Sequence, residues 1–314
     1  MSTARGAPRS MWILAAVLAA LLAVPAAGSL YVTYLATEIL IFALFALAFN
    51  LLLGYGGLIS FGHAAYFAIG AYGCAVLSVK LSWPLAAAFP AGVALATVAA
   101  AIIGYFCVKL TEIYLAILTL AFGQLVWAVA FKWSAVTGGD TGLIGVPVPA
   151  WLDEPAQFYY FALAIVGACV ALLWVVVHSA FGRTLAATRE NAVRAEFVGI
   201  HVKRVQLVAF VISGGISGIA GALHSIFNRS VFVESAWWTQ SAEVLIMAVL
   251  GGIHSFAGPA VGAAALILLE RLIRDVTEYW PTFLGAILLV VLFVFPTGLA
   301  GMARRRAARS VERA

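Results

Sequence analysis

Charged residues are scarce in this sequence. Only 10% of its 314 residues are Asp, Glu, Lys or Arg, whereas soluble domains carry about 25%. Apolar residues make up 64% of the chain, and its mean hydropathy is +1.07. A soluble fold of this length has too little interior to bury so much apolar surface. The composition therefore excludes an ordinary soluble domain and predicts a protein embedded in lipid.

Several motifs that carry chemistry are also missing. The sequence has no G-x-x-x-x-G-K-[ST] loop to hold ATP phosphates, no H-E-x-x-H pair and no G-x-S-x-G turn. Its three cysteines lie far apart in apolar runs, so no metal or redox spacing is present. We therefore expect no enzyme activity, no cofactor and no metal in this chain. Energy from ATP would have to come from another polypeptide.

Apolar stretches recur along the whole chain, and most are long enough to cross a bilayer, which takes about 20 helical residues. They predict an all-α integral membrane protein with about ten transmembrane segments. The eighth and ninth stretches are short, so one of them could be re-entrant or broken. The predicted spans lie near residues 11–29, 33–53, 61–79, 84–107, 110–132, 158–178, 206–227, 240–252, 257–272 and 281–298.

Basic residues concentrate in three segments that flank apolar runs. These are the N-terminus with Arg5 and Arg9, the 183–204 loop, and the basic tail at 300–314. With ten crossings all three fall on one side, which the positive-inside rule makes cytoplasmic. We therefore expect both termini in the cytoplasm and no binding of nucleic acid. Six tryptophans fall near the opposite boundary, as an interfacial belt would: Trp83, Trp133, Trp151, Trp237, Trp238 and Trp280.

Two features leave alternatives open. The first span, with Arg5 and Arg9 before it and small residues at 26–29, could instead be a signal peptide. The segments GGLISFG (56–62) and GGIHSF (251–256) resemble each other, and each follows an apolar run at its proposed cytoplasmic end. They are either an internal repeat, of the kind that surrounds transport pathways, or two chance turns of small residues.

The segment 181–206 is unusually polar for this chain. Its sequence, FGRTLAATRENAVRAEFVGIHVKRVQ, places apolar residues at helical spacing among charges and breaks at Gly199. This pattern predicts a short helix, a turn and re-entry into the membrane. Such a helix can dock into a groove on a partner protein. The alternative is a basic loop anchored to anionic lipid.

Three stretches together resemble a known family. The 181–206 segment continued through LVAFVISGGISGIAGAL (207–223), the early NLLLGYGGLISFGHAAYFAIGAY (50–72) and the late SAEVLIMAVLGGIHSFAGPAVGAA (241–264) are similar to LivM-type permeases of branched-chain amino-acid ABC importers. The resemblance covers residues 35–298 and implies one permease domain over 1–314 in the bacterial inner membrane. It also implies a heterodimer with an H-type permease subunit, two ATPases that use ATP and Mg, and a periplasmic substrate-binding protein.

The resemblance assigns the 181–206 segment to coupling with the ATPases. Which of its two glutamates docks stays open, because the family's usual spacing to the glycine is not kept. The coupling residues are Arg189, Glu190, Asn191, Arg194, Glu196 and Gly199. Polar residues in or near spans are candidates either for the transport pathway or for helix–helix and turn hydrogen bonds. They are Asn50, Ser60, His63, Gln124, Glu243 and His254.

The predicted function is a conduit and mechanical transducer for branched-chain or related hydrophobic amino acids. Another small solute, such as an amide, urea or a small carboxylate, fits the same machinery. An ion-coupled secondary transporter would need buried carboxylates in several spans, and only Glu243 qualifies. An intramembrane enzyme would need clustered His, Asp or Glu, but the five histidines are scattered.

Overall fold

The computed structural model describes residues 19–274 together with 279, 282–283, 285–286 and 298–299. Helices dominate this part of the chain. Its α-helices are α1 (Leu30–Asn50), α2 (His63–Val79), α3 (Leu85–Cys107), α4 (Glu112–Lys132), α5 (Ser134–Thr137), α6 (Pro155–His178), α7 (Ala180–Glu190), α8 (Ala192–Phe197), α9 (Val202–Asn228), α10 (Trp238–Gly251) and α11 (Gly258–Arg274). Leu51–Tyr55 continue α1 as a π-helical turn. One two-residue antiparallel pair, β1 (Leu143–Ile144) with β2 (Ser230–Val231), joins distant loops.

Helices α2, α3 and α9 form the most closely packed group. Glycines make this approach possible, because a Cβ at Gly221 of α9 would overlap the Phe67 carbonyl oxygen of α2. A Cβ at Gly70 would likewise overlap the Gly218 backbone, and one at Gly73 would lie 2.8 Å from the Cα of Gly92. Membrane helices rely on such close packing because lipid supplies no hydrophobic force between them.

Helix α1 packs in the interior beside this group. Most of its residues after Leu40 are fully buried, and Phe45 contacts Phe67 of α2 with ring centroids 4.8 Å apart. Its other neighbours are α6, α9, α10 and α11. The outer helices α3, α4 and α6 instead expose most of their apolar side chains. An apolar exterior and a small-residue interior are what a lipid solvent requires.

One end of the molecule, which we call the hairpin end, collects the β1–β2 pair and the loops around it. Arg229, which follows α9, accepts backbone hydrogen bonds from Gly145 and Val146 and forms an ion pair with Asp153 at 2.5 Å. Trp127 and Trp237 contact edge to face at 4.5 Å. The predicted belt gathers at this end: Trp83, Trp133, Trp151 and Trp238 are all exposed there. Trp280 lies outside the described residues.

The opposite end, which we call the coupling end, carries α7 and α8. Leu185 of α7 is fully buried there, within van der Waals distance of Gly56. The two similar glycine turns also lie at this end, and their second glycines, Gly57 and Gly252, have φ of +69° and +107°. A Cβ at Gly54 would overlap the carbonyl oxygen of Ile253, so the π-helical turn that leads into the first glycine turn is in contact with the second.

The helix pattern predicted from hydropathy is present wherever the structure describes it. Five described helical spans are long and apolar enough to cross a membrane, and α2 is a shorter apolar helix. The count of ten stays a prediction, because most of 11–29, most of 281–298 and the 300–314 tail lie outside the described residues. Helices α10 and α11 have 14 and 17 residues. At 1.5 Å per residue, α10 spans only about 21 Å.

One helix begins earlier than its predicted span. The seventh span was predicted near 206–227, and α9 already begins at Val202. Hydropathy misses this start because Lys203 and Arg204 form the first turn of a helix that extends beyond the apolar region. Another helix start follows a simple rule, since Pro155 opens α6 at a position where a helix needs no N–H partner.

The interior glycines provide a test of this packing. We expect Gly221→Ala to lower the unfolding free energy by about 1–3 kcal/mol, because the new methyl meets the Phe67 backbone, which cannot move aside. The matched control is Gly167→Ala in α6, where a Cβ meets nothing within 4 Å. The control should be neutral or gain up to about 1 kcal/mol of helix propensity. Thermal unfolding in lipid nanodiscs measures both, and equal melting temperatures would contradict the packing.

Candidate functional site: the coupling end and the buried polar chain

Two short helices at the coupling end form a rigid, capped unit. The Ser179 hydroxyl accepts from Gly182 N–H at the start of α7, and the Asn191 side chain accepts from Arg194 N–H at 2.8 Å to start α8. Such caps satisfy N–H groups that a helix start leaves unpaired. Asn191, predicted as a coupling residue, thus holds the direction change between the two helices.

Gly199 ends this unit in the way the sequence indicated. Its φ of +87° is left-handed, and its N–H donates to the Glu196 carbonyl at 2.9 Å. The Ile200 N–H donates to the Ala195 carbonyl at 3.0 Å. This pair of bonds is a Schellman motif, which favours glycine at that position. The predicted break is confirmed, and its role is to turn the chain from α8 into α9.

The surface of α8 exposes large apolar side chains to solvent. Val193, Phe197 and Val198 are 62%, 86% and 72% exposed. Arg194 and Glu196 lie among them on the same short helix and are exposed as well. We call Val193, Arg194, Glu196, Phe197 and Val198 the docking surface. An apolar centre with charges beside it is the composition of a protein-binding surface, and an apolar residue as exposed as Phe197 is costly unless covered.

Arg189 differs from the rest of the predicted coupling set. Arg189 and Glu190, at the end of α7, are both exposed. The guanidinium of Arg189, however, donates to the carbonyl oxygen of Gly54 in the π-helical turn. A Cβ at Gly57 would lie 2.7 Å from its Cγ, so its stem covers that glycine. The six predicted coupling residues therefore share one segment but not one surface.

A chain of buried hydrogen bonds runs through the α1–α2–α9 interior near the coupling end. His63 is fully buried; its Nδ1 lies 3.0 Å from the Ser60 Oγ and its Nε2 lies 2.9 Å from the Ser213 Oγ. The Ser213 hydroxyl donates to the Ala48 carbonyl at 2.6 Å. Ser60 and His63, two pathway candidates, are thus bonded to each other and to α9.

This chain of bonds fixes the tautomer of His63. Because the Ser213 hydroxyl gives its proton to Ala48, its oxygen must accept from Nε2–H of the histidine. Nδ1 is then the acceptor and takes the hydroxyl proton of Ser60. With a neutral imidazole ring in this tautomer, every donor in this chain of hydrogen bonds has an acceptor. His63 therefore fits a structural role in which its hydrogen bonds hold α1, α2 and α9 together. The sequence left this role open beside a role in the transport pathway.

The other pathway candidates divide by exposure. Asn50 is buried, and its Oδ1 accepts no hydrogen bond from the described part of the chain. The Nε2 of Gln124 likewise donates to no described residue. Glu243 and His254 are exposed. Glu243 accepts from the Gln240 side chain at 3.1 Å. Within the described residues, no group of His, Cys, Asp or Glu could hold a metal ion.

Two residues that position this site were not singled out from the sequence. Ser213 links α9 to His63, and Ser241 accepts from the Ala64 N–H at 2.9 Å. Neither is the only hydroxyl in its helix, so the sequence does not distinguish it. Only the fold pairs them with partners more than a hundred positions away.

These features define a class: a polytopic membrane protein in which a capped helix pair, α7 and α8, presents a docking surface. Comparison with known proteins gives the family. Residues 31–293 match the model of the branched-chain amino acid transport system permease component family, and the chain belongs to that family. The match covers all the described helices from α1 to α11.

Individual relatives agree with this assignment. The chain is 28% identical over 297 residues to the high-affinity branched-chain amino acid transport system permease protein LivM of Escherichia coli K12, covering 86% of this chain and 70% of that one. It is 25% identical over 285 residues to LivH of Salmonella typhimurium, covering 83% and 91%. The autoinducer 2 import system permease protein LsrC of Salmonella paratyphi B is 25% identical over 181 residues, or 55% and 50%. No solved structure matches.

The buried chain predicts a specific loss of stability. Ser213→Ala should cost about 1–3 kcal/mol, because it leaves the Nε2–H of a fully buried histidine without an acceptor. Ser78→Ala is the control: that serine is also buried, but its hydroxyl donates to the Cys74 and Ala75 carbonyls of its own helix, α2. Its removal should cost well under 1 kcal/mol. Thermal unfolding measures both variants, and a larger loss of stability in the control than in Ser213→Ala would contradict the structural role of His63.

Proposed function

We propose that this chain is the membrane-spanning permease subunit of an ATP-driven importer for branched-chain or related hydrophobic amino acids. The observation that carries the proposal is the docking surface, which is apolar, exposed and held on a helix capped at both ends. An ATPase that moves a membrane domain needs a rigid contact of this kind. The family and the relatives named for branched-chain amino acid transport support the substrate.

The chain's role is mechanical rather than chemical. It has no P-loop, so ATP and Mg would be bound by two partner ATPases. Closure of the ATPases would move α7 and α8, and this movement would switch the membrane domain between outward and inward access. Phe197 and Val198 would supply contact area, and Arg194 with Glu196 would fix the register of docking, as charged rims do.

The remaining partners follow from the relatives and from the two ends of the molecule. Similarity to both LivM and LivH proteins supports a heterodimer with an H-type permease subunit. The hairpin end, with its tryptophan belt, would face the periplasm and receive a substrate-binding protein. The basic 183–204 loop supports a cytoplasmic location for the coupling end and for both termini.

One relative favours a second candidate substrate class. LsrC is named for import of autoinducer 2, which shows that similar chains serve solutes other than amino acids. The described residues carry no assembled cage for an ammonium and a carboxylate, and specificity would rest mainly with the binding protein. Another small solute, including an amide, urea or a small carboxylate, therefore remains the alternative within the same mechanism.

Uptake by the complete complex tests the proposal. The complex, purified with its co-encoded partners and placed in proteoliposomes, should accumulate radiolabelled leucine only with internal ATP. Phe197→Ala should lower the uptake rate by about tenfold, because it removes the most exposed apolar anchor of α8. The pair of charge reversals Arg194→Glu and Glu196→Arg should act in the same direction.

The control for this experiment is Val175→Ala, which truncates a similarly exposed apolar residue on α6, outside the docking surface. It should leave uptake unchanged. Uptake by this chain without ATPases, driven by a proton or sodium gradient, would overturn the ATP-driven reading. Transport of another solute in place of leucine would keep the mechanism and replace the substrate.

Exposure also predicts which candidates line the pathway. In a chain whose native cysteines are replaced, a cysteine at Glu243 or His254 should react with a membrane-impermeant thiol reagent, because both positions are exposed. A cysteine at Asn50 or His63 should stay unmodified, because both side chains are enclosed by protein. Mass spectrometry after labelling in liposomes measures the extent of reaction. Fast labelling at position 63 would contradict the enclosed position of His63 and make it a candidate for the pathway again.

A further inference from the structure

A contact inside this chain links the coupling end to helices that bear the exposed pathway candidates. The π-helical turn Leu51–Tyr55 lies between α7 on one side and the α10–α11 turn on the other. π-Helical turns are rare and concentrate at functional sites. Its fourth residue, Gly54, touches both neighbours, so the turn is a candidate transmission element between them.

The first half of the link joins α7 to the π-helical turn. The Arg189 guanidinium donates to the Gly54 carbonyl, one of the last carbonyls of its helix, which have no partner within the helix itself. The Arg189 stem covers Gly57, and Leu185 lies one turn earlier on α7 against Gly56. Leu185 is fully buried, so α7 is anchored to this turn by an apolar contact and a charge-assisted hydrogen bond.

The second half joins the π-helical turn to the α10–α11 turn. Gly54 has no room for a Cβ because the Ile253 carbonyl oxygen and the Asn50 side chain lie against its Cα. Ile253 stands between Gly252, with φ of +107°, and His254 at the junction of α10 and α11. Two backbones in such contact move together, since a gap or an overlap would be costly.

We propose that Arg189 is a positioning residue that transmits movement of α7 through Gly54 to the α10–α11 turn, rather than a contact for the ATPase. The inference rests on the proposed function and reassigns one residue of the predicted coupling set. The π-helical turn, which leads directly into the first glycine turn, meets the second glycine turn at Gly54 and Ile253. A displacement of one displaces the other, and α10 carries Glu243 away from that point toward the hairpin end.

The test measures coupling separately from assembly. In the proteoliposome complex, Arg189→Ala should raise the ATP hydrolysed per leucine imported by about tenfold, with assembly and ATPase rate within about twofold of the parent. Arg189→Lys should give an intermediate ratio, because it keeps the charge but lacks the planar guanidinium. Arg183→Ala is the matched control: this exposed arginine on the same helix reaches only the His178 carbonyl, at 3.4 Å. Its ratio should match that of the parent.

A distance measurement gives a second readout, independent of substrate. Spin labels at Ala187 on α7 and Ala257 in the α10–α11 turn, both exposed, should keep a narrow, unchanged separation when ATP is trapped in the parent complex. In Arg189→Ala the separation should broaden or shift with ATP, since the two elements no longer move as one.

Three results would overturn the inference. One is an Arg189→Ala complex that imports as efficiently as the Arg183→Ala control. Another is loss of assembly or of ATPase rate in parallel with uptake, which would make Arg189 an ATPase contact. The third is an α7-to-turn distance that responds to ATP identically in parent and variant. A parent complex without ATP-driven uptake would instead remove the proposed function itself, and the inference with it.

Discussion

The close approach of backbones at glycine is the constraint on which this structure depends. In lipid, moving an apolar side chain from the lipid tails into a helix interface gives no hydrophobic stabilisation. Helices therefore associate through van der Waals packing and hydrogen bonds. Gly70, Gly73 and Gly221 bring α2, α3 and α9 so near that a single methyl group would collide with backbone atoms. This contact fixes α2 against α9, and the His63–Ser213 hydrogen bond can form only because that distance is short.

Glycines also allow close contacts at the coupling end. Gly54 lets the π-helical turn meet the Ile253 backbone directly, and Gly57 leaves room for the stem of Arg189. The docking surface lies a few residues away on α8, outside these contacts. Under the proposed function, the close interior contacts and the exposed apolar helix would be two parts of one transducing device.

Buried polar groups in this chain act mainly as ties. Ser60, His63 and Ser213 satisfy one another, so they carry no free donor or acceptor for a passing solute. Glu243 and His254 keep exposed side chains and are better placed to meet one. The pathway candidates therefore sort by burial and not by residue type, since Asn50 and His63 are enclosed whereas Glu243 and His254 are exposed.

The sequence alone determined the membrane class, the positions of the described helices and the break at Gly199, because hydropathy, periodicity and turn chemistry act over short stretches of chain. It also exposed the similarity of the two glycine turns. Tertiary structure alone decided that Arg189 reaches Gly54, that His63 bonds Ser213 and that Gly54 meets Ile253. These contacts join residues about 135 to 200 positions apart, and no local pattern encodes which distant glycine or serine a helix will meet.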